Sequence, residues 1–346
     1  MDINKISVDF GYKSKIIILF ITSFLLLFTI LSSICIGVYN IPINEVFSVM
    51  AYHLFGIGDI GNNVYSTIVW DIRIPRVLMG MLIGMALSTS GATYQGVFRN
   101  PLVSPFILGV SAGAAFGAAL SIMFPFIPFS IQMSAFVFGM ISVFGAYSLS
   151  RVRGKTPLVT LLLSGIILGS LFSALVAVFQ YIATEAQLKA IVFWLMGGLY
   201  HIGWSDIFTV GLIIPLGILC LMRYSWKLNI LSMGDDEAKA LGINTEKLKI
   251  LLIILATLIT SLSVSVAGII GWVGLMIPHA ARLIVGPDHR FLIPLSALMG
   301  GIFLIGCDTI ARTITTGEVP LGIITSILGA PYLIYLLRSK RSVFFG

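Results

Sequence analysis

The stretch IIILFITSFLLLFTILSSICIG, Ile16–Gly37, decides what kind of molecule this chain makes. It follows Lys5, Lys13 and Lys15, as the apolar centre of a secretory leader would. It is too long for such a leader, lacks a small-x-small exit, and suffices to cross a hydrocarbon layer of about 30 Å, which takes roughly 20 helical residues. It reads as a retained membrane span. Outward from it, comparable apolar runs recur at 74–97, 105–124, 130–150, 157–182, 206–222, 250–270, 273–286, 291–311 and 320–337. The sequence is 58% hydrophobic and 10% charged with a mean hydropathy of +1.05, more apolar surface than one soluble core can hide. No long polar block separates the runs. Residues 1–346 therefore read as a single all-α membrane domain of about ten segments.

With the amino terminus inside, ten spans place all but four of the 21 Lys and Arg on the inner side, together with the carboxyl terminus. This bias follows the positive-inside rule. It accounts for the net charge of +7 without a nucleic-acid partner. The four exceptions, Arg73, Arg76, Lys189 and Arg312, become candidates for outer-side work. Cys35, Cys220 and Cys307 lie in apolar runs and read as packing residues.

Two segments are poor plain helices. Pro101 and Pro105 precede one, and Gly268, Gly271, Gly274 and Pro278 punctuate another. Irregular backbone at membrane depth survives when buried in protein or lining a cavity, and corresponding positions in two halves suggest an inverted-repeat transporter. The expectation is a pathway lining, with tight packing as the alternative. Gly80/Gly84, Gly109/Gly113/Gly117 and Gly165/Gly169 have the spacing of close helix contacts.

The longest inner excursion, about 224–249, holds MGDDEAKALGI, Met233–Ile243. Ser232 and Asp235 have capping-box spacing, Asp235, Asp236 and Glu237 suit the positive end of a helix dipole, Lys239 suits the other end, and Gly242 can close it. A short helix is marginal alone and must be held by packing. It reads as a docking helix for a cytoplasmic partner, or else as a loop helix resting on its own domain. Nothing here can hydrolyse a nucleotide. Gly154, Lys155 and Thr156 imitate the end of a phosphate loop, but Leu149 stands where its first glycine belongs. An ion-coupled secondary transporter, the alternative, would rest on Asp308 as its intramembrane acid, since Asp71 and Asp206 lie at outer ends.

Several stretches, in order along residues 15–338, resemble the FecCD family of ABC-transporter permeases, which import ferric siderophores, haem and cobalamin. They are IRIPRVL (Ile72–Leu78), QGVFRNPLVSPFILGVSAGA (Gln95–Ala114), GDDEAKALG (Gly234–Gly242), GWVGLMIPHAARLIVGPDHR (Gly271–Arg290), CDTIAR (Cys307–Arg312) and GEVPLGI (Gly317–Ile323). The resemblance implies a type II importer permease fold with two inverted-topology halves, in a homodimer with a dimer-axis path in a prokaryotic cytoplasmic membrane. It also implies an outer substrate-binding protein and two inner ATPase subunits, which would consume ATP and Mg. This chain would bind no cofactor or metal and be no enzyme.

By the same resemblance, Arg73, Arg76 and Arg312 would face acidic side chains of the binding protein. Gly234, Asp235, Asp236, Glu237, Ala238, Leu241 and Gly242 would form the helix that couples to the ATPase, with Asp236 where the family usually has Glu. Leu158, Val159 and Thr160 occupy the position of the cytoplasmic gate. Asn100, Pro101, Pro105 and Gly109 would shape the turn after the second span. Pro278, His279, Arg282, Asp288, His289 and Arg290 belong to the motif before the ninth span, its charged members forming an inner cluster that ties loops together. Gly317 stands where many relatives have proline, before Glu318.

Overall fold

The computed structural model describes residues 11–57, 63–126, 128–151, 156–315 and 317–338. Of the residues named above, Lys5, Gly154 and Lys155 lie outside these. All regular structure among the described residues is helical. In chain order the helices are α1 (Tyr12–Cys35), α2 (Ile43–Phe55), α3 (Asn63–Ser66), which continues through a π-helical stretch (Thr67–Arg73) into α4 (Ile74–Phe98), α5 (Val110–Met123), α6 (Ile131–Ser150) and α7 (Leu158–Ile182). Then come α8 (Glu185–Met196), α9 (Trp204–Val210), α10 (Ile213–Arg223), α11 (Ser225–Met233), α12 (Asp235–Ala240), α13 (Thr245–Ala267), α14 (Val273–Val285), α15 (His289–Thr313) and α16 (Leu321–Arg338).

Six of these are long and apolar enough to cross a membrane: α1, α6, α7, α9 with α10, α13 and α15. The shorter apolar helices α5, α14 and α16, with α4, bring the number to the ten apolar runs. α4 is the least apolar in appearance and the most enclosed. It carries Ser88, Thr89, Ser90, Thr93 and Gln95, all buried, because protein rather than lipid surrounds it. Ser90 Oγ donates to the Ala256 carbonyl (3.0 Å), Tyr94 Oη pairs with Thr257 Oγ1 (2.6 Å), and Gln95 Nε2 donates to the Leu275 carbonyl (3.3 Å). Buried polar groups are tolerated when bonded in this way. α1 is the converse, with Phe20, Phe24 and Phe28 exposed along an apolar outer face.

Small residues set the packing around α4. A methyl group at Gly84 would strike the backbone of Gly300 on α15, and one at Gly91 the backbone of Gly274 on α14. Gly274 in turn leaves room for the Pro105 ring. The two segments expected to line a pathway thus meet each other, and Gly274 and Pro278 are buried in protein. The short elements α2, α8 and α11 lie between the apolar runs and have no counterpart in the hydropathy reading, which detects spans and not surface helices.

Candidate functional site

At one end of the bundle the carboxyl end of α1, the start of α4 and the end of α15 come together. Pro75, near the start of α4, lacks an amide hydrogen and crowds the preceding turn. The chain ahead of it widens into the π-helical stretch, where Ile74 N donates five residues back to Val69. That stretch aims Arg73 inward. Its Nη1 donates to the carbonyls of Ile34 (2.9 Å) and Cys35 (3.1 Å), and its Nη2 to Tyr39 (2.5 Å). Arg312, from α15, donates to the carbonyls of Ser33 and Ile36 and to Ser33 Oγ. With Ile36 N on Ser32, every terminal carbonyl of α1 has a donor. Two cations at the negative end of the helix dipole also suit the field there. Gly37 is small because the Arg73 guanidinium occupies the place of its missing side chain.

Arg76 completes this cluster. It grips Asp308 through Nε (3.0 and 3.1 Å) and Nη2 (2.8 Å), and reaches Glu318 through Nη1 (2.7 and 2.9 Å). Arg312 Nε lies 3.5 Å from Asp308 as well. The three arginines expected to face a partner are therefore buried, at 4%, 7% and 6% exposure, and committed internally. Asp308, the acid on which an ion-coupled carrier would rest, has both oxygens engaged and is 1% exposed. Glu318 alone reaches the surface, its side chain 36% exposed. Tyr200 stands nearby with its hydroxyl buried, and burial together with the Glu318 carboxylate pushes its phenol up to about 12.

At the opposite end lies α12. Its amino end is not capped by Ser232, whose Oγ donates to the Leu228 carbonyl inside α11 (2.8 Å). Gly234, at φ 155°, breaks α11 from α12 and stands at the cap position with no side chain to offer. The acidic first turn, Asp235, Asp236 and Glu237, supplies the charge complement instead. The carboxyl end closes as a Schellman motif: Gly242 (φ 78°) donates to Lys239, and Ile243 to Ala238. Ala238 is buried, while Asp236 and Leu241 point outward. Asp235 holds Lys249 at 2.5 Å, anchoring the helix to α13.

Beside α12 a cleft of about 770 Å³ opens between the end of α4, the start of α7 and α13. Leu158 and Val159 line it, as do Asn100 and Pro101, while Thr160 is half-buried behind them. Asn100 Oδ1 accepts from Leu102 N (2.9 Å), and Gly109, at φ 79°, turns the chain into α5. The charged residues of the motif before α15 divide their bonds between two neighbouring sets of partners. Asp288 caps α15 and accepts from Asn229 (2.7 Å) and from Arg290, and the Asn229 side-chain oxygen Oδ1 accepts from His289 N (2.8 Å). Burial works against ionisation of Asp288, but the bonds from Arg290 and Asn229 win and hold its carboxyl at about 2. Arg282 turns away to Gln95 on α4 (2.9 Å), with His279 buried one turn before it. Among the described residues no three His, Cys, Asp or Glu side chains converge as metal ligands would.

The ends that the charge bias assigns to a common side are the ends that meet: Ser33, Arg76 and Arg312 in one cluster, Arg99, Thr156 and Asp235 around one cleft. Sequence reasoning missed Ser33, Gly37, Glu246 and Lys249, and missed Glu318 as the partner of Arg76. The Asp308/Arg312 spacing of four was the available signal.

Apolar helices long enough to cross a membrane, short helices at one end of the bundle and a buried ionic cluster at the other fit a multi-pass transport protein. The chain matches the FecCD transport family over residues 25–339, and belongs to it. It is 42% identical over 277 residues to the cobalamin import system permease protein BtuC of Halobacterium salinarum, covering 80% of this chain and 74% of that one. It is 37% identical over 325 residues to the molybdate import system permease protein MolB of Haemophilus influenzae, covering 93% and 96%. A solved structure described as a metal-chelate type ABC transporter in an inward-facing conformation superposes with a TM-score of 0.82 at 37% identity, covering 92% of this chain and 98% of that one. The fold is that of a type II ABC importer permease.

Proposed function

We propose that this chain is the membrane subunit of a binding-protein-dependent ABC importer for a metal chelate such as a ferric siderophore, haem or cobalamin. Two copies would enclose the path in a prokaryotic cytoplasmic membrane, with both termini inside. Two ATPase subunits would bind below, using ATP and Mg, and a substrate-binding protein would dock above. α12 carries this reading. A six-residue helix closed at its carboxyl end, anchored by Asp235 yet presenting Asp236 and Leu241 to the surrounding space, suits a stiff contact to another protein.

At the outer end three guanidiniums against two carboxylates, Asp308 and Glu318, leave one positive charge in excess, which favours an acidic partner. A partner carboxylate would reach Arg76 by replacing the surface-exposed Glu318, while Arg73 and Arg312 hold the docking surface in shape. The names of the relatives support the metal-chelate class and include an oxyanion, molybdate. The test is copurification in mild detergent and uptake in vesicles. The reading expects an ATPase subunit to copurify, uptake to require ATP, and Asp236→Lys with Glu237→Lys to abolish both. Uptake driven by an ion gradient with no ATPase present would overturn it.

A further inference from the structure

Among the described residues Lys249 is the single buried lysine, at 4% exposure. It stands near the start of α13, its ammonium 2.5 Å from Asp235 Oδ2 on α12 and 3.8 Å from Glu246 Oε1 one turn earlier. The other Glu246 oxygen accepts the amide of Thr156, two residues before α7 begins (3.1 Å). The other Asp235 oxygen lies 3.7 Å from Arg99 Nη2. Arg99 ends α4 at φ 51°, a left-handed position that glycine fills at lower cost. One ammonium thus joins α12 to the segment that enters α7, with a branch to the end of α4. The cleft opens beside this network, lined by Phe98, Leu158, Val159 and Leu162.

Stability does not call for a lysine here. Taking an ammonium out of water is expensive, and an apolar side chain of similar length packs as well or better. What the ion pair adds is geometry. Asp235 and Glu246 must both stay within reach of one nitrogen, so displacement of α12 carries the Glu246 side chain and, through it, the amide of Thr156. A steric contact across an open cleft would slip, whereas this link holds under both push and pull.

We infer that Lys249 is the positioning residue that ties movement of α12 to the start of α7, and so carries a push on the inner face to Leu158 and Val159. This inference rests on the importer reading. The test uses the full complex of permease and ATPase in nanodiscs, with Cys35, Cys220 and Cys307 replaced by alanine and a spin label at Val159→Cys in each of two copies. Distances between the labels are measured by electron resonance with and without ATP and vanadate. The unaltered network should show an ATP-driven change, and Lys249→Met should reduce the fraction of complexes that change by roughly two- to thirtyfold, the range that single links in such networks produce. ATP hydrolysis should persist, and Lys249→Arg should restore the change. The pair Asp235→Asn with Lys249→Met, which leaves only the part-exposed Glu246 and Arg99 without these partners, should fold and also lose it. A full ATP-driven change in Lys249→Met or in that pair overturns the inference while leaving the importer reading intact. Labels that ignore ATP in the unaltered network overturn both.

Discussion

The two ends of α4 solve opposite problems with the same kind of bond. At the outer end, Arg73 and Arg312 serve carbonyls of α1, and Arg76 serves buried Asp308, so the guanidiniums are spent mostly on buried partners, with Glu318 alone at the surface. At the inner end, one ammonium joins two acids on different helices beside a cleft of about 770 Å³. Planar forks aimed at backbone hold a shape, and a compact ammonium between carboxylates tolerates rearrangement. The difference teaches that the outer end is built to stay and the inner end to shift.

The sharpest way to break this comparison is Arg76→Met. It leaves buried Asp308 with only the longer contact to Arg312, and breaking a buried pair costs about 3–5 kcal/mol, so thermal unfolding in detergent should fall steeply. Adding Asp308→Asn should recover part of the loss. A single variant with unchanged unfolding would show that the outer end is not the rigid one. A smaller effect is expected from Gly242→Ala at the inner end, where a left-handed residue with a side chain costs about 1–2 kcal/mol. That cost should show as faster hydrogen exchange within α12 and α13, with outer-end exchange unaltered.

The smallest effect is acid loosening of the Asp288 tether. Its folded carboxyl is held at about 2, below the usual 3.8, so its contribution is complete above 3.8 and is lost as pH falls through the folded value. Exchange along α11 should therefore quicken in strong acid in the natural chain, and Asp288→Asn should be loose already near neutrality. Equal exchange in both at neutral pH would remove Asp288 from the account of the inner face.

Much of this was readable in advance, for physical reasons. Ten apolar runs must become ten buried or lipid-facing helices, and the cation bias marks which ends share a side. The outer arginines were visible as exceptions, but a cation outside the membrane is equally consistent with facing a partner and with capping a helix. Only the positions of Ser33, Ile34 and Cys35 decide that. Ser232 misled because capping-box spacing does not reveal whether a helix has already begun, and here α11 runs through it. Lys249 was one of many inner cations, and nothing local distinguishes it. Its burial depends on Asp235, 14 positions away.

α4 makes close backbone contacts on either side of its middle, since Gly84 meets the backbone of Gly300 and Gly91 that of Gly274, at equal distances along the chain from Arg76 and Arg99. A stiff rod held at one end passes any tilt to its far tip. Its 25 residues span about 37 Å at 1.5 Å per residue, so a tilt of only ~5° displaces one tip relative to the other by about 3 Å. With the Arg76 end held by Asp308 and Glu318, such a tilt is felt at Arg99.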